Sequence, residues 1–69
     1  MAQDLRAALG QNLKRLRREH DLSQEEFAHK TGIHRTYVGG IERGERNVTL
    51  ETLERIAAAF GINPVDLLK

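Results

Sequence analysis

Apolar residues recur three and four positions apart along the whole chain, and no stretch alternates with a period of two, so the pattern predicts helices and no strand. Leu5, Leu9, Leu13 and Leu16 share one face of a first helix from about Asp4 to Glu19, with the polar residues of "KRLRRE" on the other faces. "HD" ends that pattern before Leu22. In "SQEE" the Ser23 hydroxyl can accept from the Glu26 amide while the Glu26 carboxylate reaches back to the Ser23 amide. This capping box opens a short second helix that buries Phe27 and Ala28. Gly32 stops it, because a residue without a Cβ enters the left-handed conformation at no steric cost. A third helix starts at His34 or Arg35 and runs to Arg43, ahead of Gly44. After the polar loop "GERNV", Thr49 caps a fourth helix, on which Leu50, Leu53, Ile56, Ala57 and Phe60 make a continuous apolar face up to the stop at Gly61. "NPVDLL" predicts a short fifth helix, with Asn63 as its cap and Pro64 at the first helical position, where the missing N–H costs nothing.

The second and third helices are separated only by "TGIH", a turn too short to leave the crossing angle free, and two short helices so joined form a helix-turn-helix pattern. Leu22, Phe27, Ala28, Ile33, Val38 and Ile41 are the apolar positions that would pack the pair together and onto helices one and four. Spacing alone leaves two readings open, because small helical pairs of this kind also occur in proteins that bind no DNA.

Composition narrows the classes. A chain of 69 residues is expected to be one domain, residues 1–69, and a domain of this size buries only about 60% of the surface its unfolded chain exposes. With no cysteine there is neither a disulfide nor a thiolate metal site, and His20, His29 and His34 lack the paired spacing of zinc ligands. Self-association is then the natural source of further burial. "MAQDLRAALG" carries an acidic residue and no long apolar run, so neither a secretory leader nor a membrane span is expected, and the protein reads as soluble and cytoplasmic. Net charge is +1, with nine Lys or Arg against seven Asp or Glu in residues 1–46 and two against three in residues 47–69. Bulk charge therefore predicts no strong polyanion binding, and any nucleic-acid contact must come from local placement. Catalysis is not expected: Ser23, the only serine, is spent as a cap, and no histidine has a carboxylate that spacing would force against it.

The third helix contains two adjacent glycines, Gly39 and Gly40, each costing roughly 1 kcal/mol in a helix interior relative to alanine. With a rotation of about 100° per residue counted from Arg35, Tyr37, Val38 and Ile41 fall within roughly 200–300°, the buried side. Thr36, Gly39, Gly40 and Arg43 fall within roughly 40–140°, with Arg35 at the edge of that outward face. Both glycines thus lie with the polar residues, where a bare helix could approach a groove closely.

The segments "LKRLRREHDLSQEEFAHKTGI", "HRTYVGGIERGERN" and "TLETLERIAAAFGINPVDLL" together resemble the phage-repressor and Cro-type helix-turn-helix proteins, the xenobiotic response element family, over nearly the whole chain. "RTYVGGIERGERN" looks most like the controller proteins of restriction-modification systems. The resemblance implies an all-α, compact five-helix lambda-repressor-like domain in which helices two and three form the helix-turn-helix. It also implies binding of double-stranded operator DNA as a homodimer, with the third helix in the major groove.

On that reading Arg35 can donate two hydrogen bonds to guanine O6 and N7, and Thr36 can bond a base edge or touch a thymine methyl. Family members read bases from these two positions, and Gly40 stands where some repressors carry a base-reading side chain. Gln24 sits at the start of helix two, where free N–H groups and the positive end of the helix dipole favour phosphate. Its family counterpart bonds phosphate and braces the recognition helix. Arg43, Arg46 and Asn47 would track the flanking backbone, Arg46 being the one that can also reach a groove. Tyr37 has two readings, a boundary core residue or a phosphate ligand through its hydroxyl; His34 is a helix-start residue or a phosphate contact. In the resemblance Arg17 matches a buried arginine that pairs with the glutamate of "IERG", Glu42, which assigns both to structure. The dimer surface falls around helix five and its neighbouring loops, with Ile62, Pro64 and Leu67 as candidates and Val65 and Leu68 left to the monomer core. The competing function is a protein-interaction or antitoxin-type module, which exposed apolar residues on helix three would favour. No cofactor, metal or small-molecule effector is expected, nor a separate effector domain after Lys69.

Overall fold

The computed structural model describes residues 4–69. The first three residues of the stretch read as lacking a leader lie outside that range. The elements are α1 (Leu5–Glu19), α2 (Gln24–Thr31), α3 (Arg35–Glu42) and α4 (Leu50–Phe60), followed by a 3-10 helix at Pro64–Leu68, and no strand occurs among the described residues. The expectation of five α-helices is therefore corrected to four and one 3-10 turn. Asn63 caps that turn by accepting from the Val65 amide, and the Asp66 amide donates to the Asn63 carbonyl three residues back, the shorter 3-10 spacing that a five-residue segment can close.

Each start is set by a side chain that relieves an orphan amide. Asp4 accepts from Ala7, Ser23 from Glu26 and Thr49 from Thr52, while the Glu26 carboxylate takes the Ser23 amide at 2.8 Å and completes the capping box. At Gly32 φ is +75°, so the α2–α3 turn uses the one residue that takes this conformation without strain.

One core joins all five elements: Leu9 and Leu13 of α1, Phe27 and Ala28 of α2, Ile33 of the turn, Val38 and Ile41 of α3, Leu53, Ile56, Ala57 and Phe60 of α4, and Leu67. The rings of Phe27 and Phe60 stack at 5.2 Å between centroids. Two expectations fail here. Leu50 does not extend the apolar face of α4 inward; it lies one turn ahead of the core and is 78% exposed. Leu67 is fully buried, whereas Val65 is 60% exposed, so the roles assigned to these two residues are exchanged. The Asn12 amide holds the 3-10 turn in that orientation by donating to the carbonyls of Leu67 at 2.8 Å and Lys69 at 3.0 Å.

Close approach of α1 to α3 depends on Gly10. A Cβ at that position would lie 2.5 Å from the Ile41 carbonyl oxygen and 2.7 Å from that of Glu42, backbone atoms that cannot turn aside. Among the described residues no helix is long and apolar enough to cross a membrane.

Candidate nucleic-acid interface

The third helix projects from a rigid mount. Arg17 of α1 donates to both oxygens of Glu42, through Nε at 2.6 Å and Nη2 at 3.0 Å, and its Nη1 donates to the Leu22 carbonyl at 2.8 Å. Gln24 Nε2 at the start of α2 donates to the same carboxylate at 3.0 Å. Three helices are thus tied at one carboxylate, whose side chain is 4% exposed. Burial pushes the Glu42 carboxyl up, but the hydrogen bonds from Arg17 and Gln24, with the positive charges of Arg17 and Lys14, outweigh it and hold the group below the ordinary carboxylate range. The same pairing raises the Arg17 guanidinium. Bidentate geometry, with each guanidinium nitrogen and both carboxylate oxygens engaged, is what makes a buried pair tolerable.

Arg35, Thr36 and His34 open α3 and are exposed. His34 acts as the cap, its Nδ1 accepting from the Thr36 amide at 3.2 Å, so that this ring nitrogen is engaged within the helix end. Arg35 Nη1 lies 3.4 Å from a carboxylate oxygen of Glu25 on α2, with both side chains more than half exposed. Such a surface pair is worth about 0–1 kcal/mol, and the guanidinium can exchange it for another acceptor. Glu25 is absent from the sequence-based site, because its proximity to Arg35 depends on how α2 crosses α3.

Gly39 and Gly40 point away from the core, as the helical phase predicts, yet they are not bare: both are buried. Arg43 and Gln24 cover Gly39, where a Cβ would stand 3.1 Å from Arg43 Nη1 and 3.8 Å from Gln24 Oε1. Arg46 covers Gly40. The expectation of an uncovered helix backbone is corrected accordingly, since flexible side chains from flanking positions fill the space the glycines leave. Arg43 also pairs with Glu45 at 3.1 Å, and Asn47 is exposed beside a cleft of about 150 Å³ between the start of α1 and the start of α4. Tyr37 is half-buried, its ring packed against the core on one side and under the Arg46 guanidinium on the other.

The interface thus has a polar, cation-rich face carried on two helices that a three-residue turn joins. The family profile for helix-turn-helix matches residues 13–67. The chain belongs to the helix-turn-helix family. It is 42% identical over 69 residues to the control protein C.BamHI of Bacillus amyloliquefaciens, covering 99% of this chain and 85% of that one. Among solved structures, the restriction-modification controller protein C.AhdI from Aeromonas hydrophila superposes with a TM-score of 0.84 at 45% identity, covering 90% of this chain and 94% of that one. The controller protein C.Esp1396I, solved as a tetramer in complex with its natural 35 base-pair operator, superposes with a TM-score of 0.82 at 33% identity over 96% of this chain and 87% of that one.

Proposed function

We propose that this helix-turn-helix protein is a small cytoplasmic transcriptional regulator of the controller or repressor type, which binds double-stranded operator DNA as a homodimer with α3 in the major groove. The observation that carries the reading is the division of its surface. Around the outward face of α3 stand Gln24, Arg35, Thr36, Arg43 and Arg46, with Asn47 in the loop that follows, all hydrogen-bonding or cationic, whereas the exposed large hydrophobics Leu5, Leu50 and Val65 lie on other elements. A helix dressed this way suits base edges and phosphates, with its N-terminal Arg35 and Thr36 nearest the bases. The likeness to controller proteins, one of them solved on its operator, supports the same reading.

The dimer surface is placed on the apolar side. Two adjoining clefts share Leu50, Leu53 and Leu68; Leu5 lines one, and Pro64 and Val65 line the other. Leu50 and Val65 replace Leu67 as its principal members and Pro64 stays, while half-buried Ile62 lines neither cleft. A second copy seated there would supply burial that a domain of this size lacks. The activity needs no cofactor, metal, small-molecule effector or catalytic step.

Selection of bound sequences from random duplex DNA at physiological salt tests the function. Enrichment of two related half-sites about one helical turn apart is the expected result. No enriched motif, together with capture of a protein partner by the α3 face, would replace this reading with that of an interaction module.

A further inference from the structure

The 3-10 helix carries both an anchor and an outward face. Leu67 is fully buried in the core, whereas Val65 on the same turn is exposed and Leu68 is half-buried. Leu68 lines both of the clefts placed at the dimer surface, and Pro64 and Val65 line the second. The shape of that surface therefore depends on how the five residues Pro64–Leu68 sit on the rest of the molecule. So short a helix holds itself weakly, because 3-10 bonds close with poor geometry and the carbonyls of the last turn have no partner inside the helix.

Asn12 supplies those partners. From a half-buried position in the middle of α1 its Nδ2 donates to the Leu67 carbonyl at 2.8 Å and to the Lys69 carbonyl at 3.0 Å, the two carbonyls on either side of Leu68. An amide nitrogen has two hydrogens, so both are spent here. The Asn12 Oδ1 accepts from Arg15 Nη2 at 3.4 Å, which leaves the nitrogen side turned to the 3-10 helix. A buried leucine alone is a pivot, since apolar contact has no direction. Two hydrogen bonds beside it fix the rotation about that pivot.

We propose that Asn12 is a positioning residue for self-association: by clamping the chain on both sides of Leu68 it holds Pro64, Val65 and Leu68 in the shape that a second copy of this chain meets. Asn12 lines neither cleft, so it acts through the turn and not by contact with the partner. The inference rests on the homodimer reading above and deepens it, naming the residue that sets the surface as distinct from those that form it. A protomer whose turn is unseated cannot dimerise, and the seated fraction enters the dimer equilibrium once for each copy, hence squared. With about a third of the protomers seated, the dissociation constant rises about ninefold.

The test compares Asn12→Ala with the wild-type protein by sedimentation over a range of concentrations. The dimer dissociation constant should rise about tenfold. Affinity for the selected duplex with two half-sites should fall at low protein concentration and return as the concentration is raised, while affinity for a single half-site stays the same. Alanine favours a helix and water can take both carbonyls at a half-buried site, so the monomer stays folded, which urea denaturation verifies. A merely structural role would lower stability and leave the dimer constant of the folded molecules where it was, so a constant within about twofold of wild type overturns the proposal. A second measurement needs no variant. By linkage, a dimer that uses the clamp also protects it. The Asn12 side-chain amide protons of the wild-type protein should therefore exchange more slowly above the dimer constant than below it, and equal rates overturn the proposal. Wild-type protein that stays monomeric at every concentration, alone and on the duplex, would reject the homodimer reading itself and this inference with it.

Discussion

Replacing Glu42 with glutamine keeps the side chain's shape and removes its charge, leaving the Arg17 guanidinium, 11% exposed, without its counter-ion. Loss of one partner from a buried pair costs about 3–5 kcal/mol, and glutamine, which still offers one acceptor, belongs near the lower end. A domain of 69 residues has a total stability of about 3–10 kcal/mol, so the variant loses a large share of it. Replacing both partners, Arg17→Met with Glu42→Leu, should cost far less, because no charge is stranded and the freed Gln24 donor sits at a half-buried rim that water reaches. Urea denaturation followed by circular dichroism measures both. The pH dependence follows from the sign of the shift. The folded Glu42 carboxyl lies below its unfolded value of 4.5, so its stabilisation is complete above about pH 4.5 and is lost as pH falls through the folded value. The Glu26 carboxyl, lowered by the Ser23 amide and hydroxyl, acts in the same direction and remains in the variant. Wild type should therefore lose more stability on acidification than Glu42→Gln. A variant within 1 kcal/mol of wild type at pH 7, or parallel acid profiles, would refute the view that one buried carboxylate fixes the mount of α3.

Gly10→Ala should cost about 1–3 kcal/mol despite its better helix propensity, since the new methyl meets two backbone carbonyls of α3, and thermal unfolding reads the loss. Leu67→Ala, by emptying a fully buried site, should cost about 2–5 kcal/mol, whereas Val65→Asp should leave the fold intact and shift the mass read by sedimentation from dimer to monomer. Arg43→Ala should weaken binding to all duplexes alike and reduce the slope of log affinity against log salt by about one, as a phosphate contact requires.

How far the fold could be read depended on how local each signal was. Ser23, Thr49 and Asn63 declare helix starts through their own side chains, and Gly32 declares a stop, so the caps at these positions are as the residues predict. The helical phase of α3 also holds, with Val38 and Ile41 inward. Phase gives the direction of a Cβ but not which long side chains fold across it, Gln24 and Arg43 over Gly39 and Arg46 over Gly40, which is why the two glycines read as bare. At Pro64–Leu68 the resemblance set Leu67 on a dimer surface, whereas Asn12, 55 positions away, pins the 3-10 turn through the Leu67 carbonyl, a long-range contact that the local pattern does not carry. The Glu25–Arg35 pair and the Gly10 contact depend on crossing geometry; a lone glycine inside the leucine pattern of α1 was the one sequence signal of the latter.

The central claim is that DNA meets the protein along α3, the start of α2 and the loop after α3. Mapping backbone amide shifts by nuclear magnetic resonance, during titration with the selected duplex, tests it most directly. The account predicts the largest changes at Gln24, Arg35, Thr36, Gly39, Gly40, Arg46 and Asn47, with the 3-10 turn and the outer face of α1 unmoved. Changes centred on Leu50, Val65 and the 3-10 turn, with α3 silent, would contradict it.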